Sequence, residues 1–345
     1  MDQTQIIHLV LAFSWAFFVV LFAIPSIIYL AHVKNLLDVP NKRTVHASLT
    51  PRLGGLAIFA GFVSSITLFG DFGEHSFGAQ QVLASTIILF FIGLKDDISP
   101  VSATKKFFVQ ILSISIVVFA GDVRITNFHG ILGMWQLEES ISIVFTIFVM
   151  VGITNAINLI DGLDGLAGML VLTFACVFGY FFLMGNVSYG ILSVCLVGAI
   201  AGFLRYNLHR ATIFMGDTGS LLLGFITSVL AVEFVELKLV SHSPVVTLAV
   251  LIVPISDTLR VFLIRALDGV SPFTPDRRHI HHRLVDFGFS QISVVLFLVV
   301  VTLGFLGLTL FLSDKMPINF LLAVVVALSI ILSVVMEAIH KSKRK

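Results

Sequence analysis

The sequence predicts an all-α polytopic membrane protein that forms one domain over residues 1–345. Hydrophobic residues make up 57% of the chain, charged residues only 12%, and the mean hydropathy is +1.05. Soluble domains carry about 25% charged residues, and a helix satisfies its own backbone hydrogen bonds in lipid. Eleven apolar runs follow one another without an internal repeat or low-complexity linker. We therefore expect about eleven transmembrane helices.

The apolar runs set the approximate bounds of these helices. The predicted spans are 6–31, 53–70, 79–94, 107–121, 140–157, 165–184, 189–204, 218–235, 244–266, 290–312 and 317–337. The first run is too long for the apolar core of a signal peptide, and Met1-Asp2 is not a basic leader. We therefore expect it to be the first membrane span.

The placement of basic residues predicts the orientation in the membrane. Every lysine and arginine except Arg124, Lys238 and Lys315 lies in or beside one alternating set of connections. That set consists of 32–52, 95–106, 158–164, 205–217, 267–289 and 338–345. Because cytoplasmic loops are enriched in Lys and Arg, this set is predicted to be cytoplasmic. An odd number of spans then places the N-terminus outside and the C-terminus in the cytoplasm.

The most unusual stretch is Asn155–Gly168, where polar residues recur every three positions between two apolar runs. If it is helical, Asn158, Asp161 and Asp164 cover about 120° of one side, since each residue advances roughly 100°. Acids at a membrane boundary are costly and usually functional. The stretch therefore indicates a site for a polar, phosphorylated ligand at the membrane surface.

Two adjacent acids, Asp96 and Asp97, follow the third run. Neighbouring carboxylates shift each other's pKa, so one is a candidate base and the other a charge partner or metal ligand. The alternative is a loop at a helix end that Lys105 and Lys106 neutralise.

A third acidic position is Asp217, at the start of the eighth run. It is either the cap of that helix or a ligand of Mg²⁺, which typically takes one or two carboxylates plus substrate phosphates.

Phe214 is positioned either to stack on a base or simply to pack. The loop 38–55 contributes Lys42, Arg43 and other basic residues that could meet phosphates, or that only mark the cytoplasmic side.

A basic, histidine-rich connection follows the ninth run, Pro275-Asp-Arg-Arg-His-Ile-His-His-Arg-Leu284. Arginines between the histidines argue against a metal cation and for phosphate or sugar hydroxyls. The alternative is an ordinary interfacial loop. Asp257 and Arg260 are expected to form an i,i+3 ion pair on one helix face.

Taken together, these motifs resemble the polyprenyl-phosphate N-acetylhexosamine-1-phosphate transferase family. The motifs are Lys95-Asp-Asp97, Asn155–Gly168, Phe214-Met-Gly-Asp-Thr-Gly-Ser220 with Asn207, and His279-Ile-His-His-Arg283. The last motif is similar to that of the branch using UDP-N-acetylglucosamine (UDP-GlcNAc).

The resemblance implies a phosphotransferase in the cytoplasmic (inner) membrane of a bacterium, with its active-site cleft on the cytoplasmic face. Such an enzyme moves GlcNAc-1-phosphate from UDP-GlcNAc to undecaprenyl or another polyprenyl phosphate, with Mg²⁺ or alternatively Mn²⁺, and releases UMP. This is the first membrane step of a cell-envelope glycopolymer such as lipopolysaccharide O-antigen or teichoic acid.

The resemblance also implies a role for each candidate residue. The catalytic residues are Asp96, Asp97 and Asp161, with Asp96 as base or orienting group. Asp217 is the metal ligand. Nucleotide binding falls to Asn158, Asp164, Asn207 and Phe214, and binding of the sugar and its phosphate to His279, His281, His282 and Arg283.

Several alternatives stay open at this stage. The donor is alternatively another UDP-N-acetylhexosamine or UDP-MurNAc-pentapeptide, and the mechanism involves either direct in-line transfer or a phospho-aspartyl intermediate. A secondary transporter is the alternative from another class, although transporters place polar groups near the midplane. The membrane and the two substrates are the expected partners, a homodimer is possible, and no nucleic-acid partner is expected.

Overall fold

A computed structural model describes residues 3–37, 49–70, 78–185, 188–271 and 278–343. The described residues form thirteen α-helices. They are α1 Gln3–Val33, α2 Gly54–Phe69, α3 Ala79–Ile98, α4 Ala103–Ala120, α5 Glu139–Ile160, α6 Leu166–Met184, α7 Tyr189–Asn207, α8 Gly216–Glu236, α9 Ser243–Val250, α10 Ile252–Leu267, α11 Ile280–Asp286, α12 Gln291–Ser313 and α13 Ile318–Lys343. An isolated β-bridge joins Asn127 and Gln136.

Each of the eleven predicted apolar runs lies in helix. Eight helices of the described chain, namely α1, α4 to α8, α12 and α13, are long and apolar enough to cross a membrane. The helix pair α9 and α10 adds a ninth candidate if it is one span. Helix α2 is shorter, with 16 residues, and α3 ends in the charged positions 95–97. The protein is therefore a multi-pass helical membrane protein.

The run at 244–266, predicted as one continuous span, is broken into two helices. The axes of α9 and α10 differ in direction by 73°. Pro254 stands in the first turn of α10, where it has no N–H to donate to the preceding turn and its ring crowds the carbonyl four residues back. The break leaves the second half, α10, free to take its own direction.

The core of the bundle is α8. All residues of the 18-residue apolar stretch of α8 are buried inside the protein, whereas only 17% of the corresponding stretch is buried in α1 and in α13. Helices α2, α3, α5 and α6 pack around α8. Large apolar side chains on the outside are exposed, such as Phe22 at 71% and Phe311 at 64%. Such an apolar surface is compatible with contact to lipid. Polar groups are therefore expected at the two ends of α8, away from the hydrocarbon region.

The C-terminal end of α8 lies beside a small hairpin over residues 123–137. The backbone N–H of Thr126 donates to Oε2 of Glu236 at 2.8 Å, and that of Phe128 donates to the carbonyl of Trp135 at 2.8 Å. The N-terminal end of α8, at Asp217, belongs to the opposite end of the bundle.

Candidate active site

Asp96 and Asp217 are joined by a lysine from α4. Nζ of Lys106 lies 3.0 Å from Oδ2 of Asp96 and 2.6 Å from Oδ2 of Asp217. Asp96 also accepts a 2.6 Å hydrogen bond from the backbone N–H of Val101, in the turn between α3 and α4. The ammonium group is therefore shared between an acid from α3 and an acid from α8. We call Asp96, Asp97, Asp161 and Asp217 the acidic cluster.

Asp97 caps the N-terminus of α8. Its Oδ1 accepts from the backbone N–H of Asp217 at 2.7 Å, and its Oδ2 accepts from the backbone N–H of Thr218 at 3.0 Å and from the Thr218 hydroxyl. Gly216 has a φ of +70°, and a Cβ there would lie 2.6 Å from both carboxylate oxygens of Asp97. Asp97 thus holds the helix end that carries Asp217, while the Asp217 carboxylate itself makes no cap.

The carboxyl groups at this end of the bundle have different proton affinities. Burial raises the pKa of Asp97 to about 6, against hydrogen bonds from Thr218 that lower it. Burial, with the nearby charges of Asp217 and Asp97, raises the pKa of Asp161 to about 7. Burial also acts to raise the pKa of Asp96, but its interaction with Asp217 and the hydrogen bonds that it accepts from Val101 and Lys106 outweigh burial and leave that pKa below its usual range.

The loop between α5 and α6 brings its polar residues to the same end. Asn158 donates from Nδ2 to Oγ of Ser220 on α8 at 2.7 Å. Asp161 follows the last residue of α5. Three residues further on, Oδ2 of Asp164 accepts from the backbone N–H of Ala211 at 3.0 Å, which ties this loop to the one after α7.

Asn207 supports the same two loops from within. It is 6% exposed, its Oδ1 accepts from the backbone N–H of Gly165 at 2.9 Å, and its Nδ2 donates to the carbonyl of Ile213 at 2.9 Å. Phe214, which follows Ile213, is half-buried, and its backbone N–H donates to the carbonyl of Pro51 at 2.8 Å. Asn207 therefore shapes the loop that presents Phe214.

A cavity of about 740 Å³ opens beside Asp164. It lies between the ends of α1, α7 and α12 and the loop after α7. Its polar lining consists of His32, Thr50, Asp164, His209, Arg210, Thr212, Ser290 and Gln291. Its size is that of a small-molecule pocket, and the carboxylate predicted to bind the nucleotide is part of its wall.

The histidine segment, defined as residues 278–283, lies against the loop between α5 and α6. A Cβ on Gly162 would lie 2.4 Å from Nε2 of His281 and 3.3 Å from Nε2 of His282. His281 is 1% exposed, and neither of its ring nitrogens has a hydrogen-bond partner among the described residues. Burial lowers the pKa of His281 well below its usual range, with a further lowering from His282. The His281 ring is therefore neutral at pH 7.

The remaining two histidine-segment candidates are held by acids of other helices. His279 places Nδ1 2.9 Å from Oδ2 of Asp257 on α10. Arg283, which is 8% exposed, forms an ion pair with Glu337 on α13. The expected i,i+3 pair is also present, with Nη2 of Arg260 2.8 Å from Oδ1 of Asp257.

The structure thus brings every predicted site residue to one end of the bundle, and it adds residues that the sequence did not single out. Lys106 was read only as a neutralising charge, and Asp257 only as half of a local pair. Gln291 accepts from the backbone N–H of Asp164 at 3.0 Å and had no distinguishing pattern. Lys42 and Arg43 lie outside the described residues. Arg52 is exposed and lies beside Gly216: a Cβ added to Gly216 would be 2.3 Å from the carbonyl oxygen of Arg52.

The acidic cluster has the donor chemistry of a Mg²⁺ site that is completed by a ligand. Over the described residues, no group of three or more His, Cys, Asp or Glu side chains is arranged to hold a metal ion. Mg²⁺, however, is usually bound by one or two carboxylates plus substrate phosphates. Asp96 and Asp217 already share the positive charge of Lys106. These carboxylate oxygens already surround a positive charge and are hard ligands, so they fit Mg²⁺.

The fold and site define a class of protein: a multi-pass helical membrane protein with acids, amides and histidines gathered at one end of the bundle. The sequence profile described as glycosyl transferase family 4 matches residues 79–235. The chain is 34% identical over 308 residues to a probable undecaprenyl-phosphate N-acetylglucosaminyl 1-phosphate transferase of Bacillus subtilis, covering 89% of this chain and 85% of that protein.

Two further relatives are similar over most of the chain. A decaprenyl-phosphate N-acetylglucosaminephosphotransferase of Mycobacterium tuberculosis is 34% identical over 286 residues, which are 74% of this chain and 70% of that protein. An undecaprenyl-phosphate alpha-N-acetylglucosaminyl 1-phosphate transferase of Escherichia coli is 30% identical over 263 residues, 74% of this chain and 71% of that protein. The protein belongs to glycosyl transferase family 4, as its motifs indicated.

Proposed function

We propose that the protein transfers GlcNAc-1-phosphate from UDP-GlcNAc to undecaprenyl phosphate and releases UMP. The observation that carries the proposal is that all three relatives are named for N-acetylglucosamine phosphotransfer, whereas their polyprenyl acceptors differ. The relative that covers 89% of this chain is named for undecaprenyl phosphate, so this lipid is the proposed acceptor.

The proposed reaction is a direct phosphoryl substitution. An oxygen of the acceptor phosphate forms a bond to the β-phosphorus of UDP-GlcNAc, and the bond from this phosphorus to the bridging oxygen breaks. UMP leaves with the electron pair of that bond. The second pKa of a phosphate is about 6, so the acceptor is mostly a dianion at neutral pH and no proton has to be removed.

In this proposal the protein mainly supplies position and charge. Because its pKa is lowered, the Asp96 carboxylate is a weak base, and we assign it the role of orienting Lys106. The Lys106 ammonium, between two carboxylates, is then available to offset phosphate charge. Asp217 would be the principal ligand of Mg²⁺, with Mn²⁺ as a substitute. Asp161 lies close to Asp217. The bound ion would stabilise the negative charge that develops during transfer.

The donor is proposed to span from the cavity beside Asp164 to the histidine segment. Asp164 and Phe214 would contact the uracil, and Asn207 would hold the loop that presents them. The neutral ring of His281 suits a sugar hydroxyl or N-acetyl group better than a phosphate, since it carries no charge. His282, His279 and Arg283 complete the proposed sugar-phosphate subsite.

The proposal includes eleven spans, an external N-terminus, and a cytoplasmic C-terminus and active site in the bacterial inner membrane. It places the reaction at the first membrane step of a cell-envelope glycopolymer. The clustering of polar residues at one end of the described bundle, rather than at mid-depth, favours an enzyme over a transporter. A fluorescent-protein fusion to the C-terminus should be fluorescent in bacterial cells, and a periplasmic phosphatase fusion there should be inactive.

The function is tested with purified protein, undecaprenyl phosphate and a panel of UDP-sugars. We expect UMP release with UDP-GlcNAc, dependent on the acceptor and on Mg²⁺, and little with UDP-N-acetylgalactosamine or UDP-MurNAc-pentapeptide. No lipid-linked product from UDP-GlcNAc would refute the donor. Exchange of labelled UMP into UDP-GlcNAc without acceptor would instead support a phospho-aspartyl intermediate.

A further inference from the structure

A buried carboxylate on α10, Asp257, organises the start of the histidine segment. Asp257 is 2% exposed. Its Oδ2 lies 2.9 Å from Nδ1 of His279, and its Oδ1 accepts from the backbone N–H of Ile280 at 2.9 Å. Because a carboxylate only accepts hydrogen bonds, Nδ1 of His279 carries the proton. The other ring nitrogen, Nε2, is then the one that remains for a ligand.

Two arginines extend this contact to the last helix. Arg260 donates from Nη2 to Oδ1 of Asp257 at 2.8 Å and to the carbonyl of Arg278 at 2.6 Å. Its Nη1 lies 3.5 Å from Oε2 of Glu337 on α13, which also pairs with Arg283. Helices α10 and α13 therefore hold both ends of the histidine segment.

These contacts hold the histidine segment against the loop between α5 and α6. His281 meets Gly162, which leaves no room for a Cβ, and Gly162 separates Asp161 from Leu163 and Asp164. The position of the histidine segment and that of the loop carrying Asp161 and Asp164 are therefore linked through the contact between His281 and Gly162. A buried carboxylate is costly unless it is paired, and here its pairs are all to this segment and to Arg260.

We propose that Asp257 is a positioning residue of the donor site. It fixes the tautomer of His279 and the place of the histidine segment against Gly162, and it acts through His279 rather than by contact with the donor. This inference rests on the proposed function for its kinetic part only, since the positioning itself can be measured without substrate.

The first test is hydrogen–deuterium exchange on the full-length protein in detergent. Asp257→Asn keeps the side-chain shape but removes the charge and can place an N–H opposite Nδ1 of His279. We expect amide exchange in 280–286 to rise at least tenfold, while that of α8 stays unchanged. Glu337→Gln is a second variant, expected to speed exchange in the same segment. Unchanged exchange of the segment in Asp257→Asn would overturn the proposal.

The second test separates positioning from simple loss of folded protein. Asp257→Asn should raise the KM for UDP-GlcNAc at least tenfold and leave the KM for undecaprenyl phosphate within twofold. A smaller active fraction would lower kcat and leave both KM values unchanged, which would contradict the proposal. Asp268→Asn, which removes an exposed partner of Arg278, is the matched control and should leave both KM values as they are.

A double-variant cycle tests whether Asp257 acts through His279. Effects of coupled residues are not additive. We expect Asp257→Asn combined with His279→Gln to have a KM for UDP-GlcNAc within twofold of that of His279→Gln alone, and multiplied effects would refute the coupling. A wild-type protein that makes no product from UDP-GlcNAc would refute the proposed donor, and the exchange measurement would still decide the role of Asp257.

Discussion

Replacing Lys106 by methionine should tighten metal binding while it slows turnover. The ammonium lies 2.6 Å from Asp217 and 3.0 Å from Asp96, so it neutralises the carboxylates proposed to bind and support Mg²⁺. A cation that binds Asp217 has to displace this ammonium or approach it. Methionine keeps much of the stem length and removes the positive charge, so this competition disappears.

The size of the effect follows from the distances and exposure. Two unit charges 4 Å apart interact by about 1 kcal/mol in water and about 4 kcal/mol near a protein surface. The Lys106 side chain is 23% exposed and can swing away, so we take the lower part of this range. A gain of about 1–2 kcal/mol corresponds to a 5- to 30-fold lower Kd. Turnover should fall by about 100-fold, the cost of losing one group that stabilises transition-state charge.

The assay is Mn²⁺ binding to purified protein without substrates, followed by electron paramagnetic resonance of the free ion. Lys105→Met is the matched control, because Lys105 is the exposed neighbour on the same helix turn. It should change the Mn²⁺ affinity by less than twofold. An unchanged or weaker Mn²⁺ affinity in Lys106→Met would refute the competition between ammonium and metal.

Three further predictions concern single residues. Asp217→Asn should abolish Mg²⁺-dependent turnover; activity within a few-fold of wild type would refute the metal assignment. Phe214→Ala should raise the Kd for UDP-GlcNAc about tenfold more than that for the acceptor, as measured by calorimetry, and equal effects would argue against stacking on uracil. Without divalent cations, thermal stability should fall as pH rises from 5 to 8, because the folded pKa is about 7 for Asp161 and about 6 for Asp97, against an ordinary 3.8, and the folded state binds the extra protons. Asp161→Asn should reduce this slope and leave the part that is due to Asp97; an unchanged slope would contradict the assignment to Asp161.

The positions of the membrane helices followed from the sequence because their length and apolar character are set by the bilayer. The break between α9 and α10 did not, although Pro254 is visible in the sequence. A proline bends some helices and ends others, and the neighbouring packing decides which occurs. Helix α11, with seven residues and charges on it, has too little periodicity to be distinguished from a loop.

The site residues were found because charges in an apolar chain are costly and therefore conspicuous. Their partners could not be found in this way. Asp97 caps a helix that begins more than a hundred positions later, and the sequence offered only Asp217 itself as that cap. Lys106 and Asp257 also have ordinary local explanations. Only the tertiary structure reveals their second partners, Asp217 at the start of α8 and His279 before α11.

The most direct test of the account is the release of UMP by the purified protein from UDP-GlcNAc. With undecaprenyl phosphate and Mg²⁺ present, UMP and a lipid-linked GlcNAc diphosphate should form in equal amounts. Omitting the acceptor or the cation, or using Asp217→Asn, should stop both. UMP release without a lipid product, or equal activity without Mg²⁺, would contradict the account.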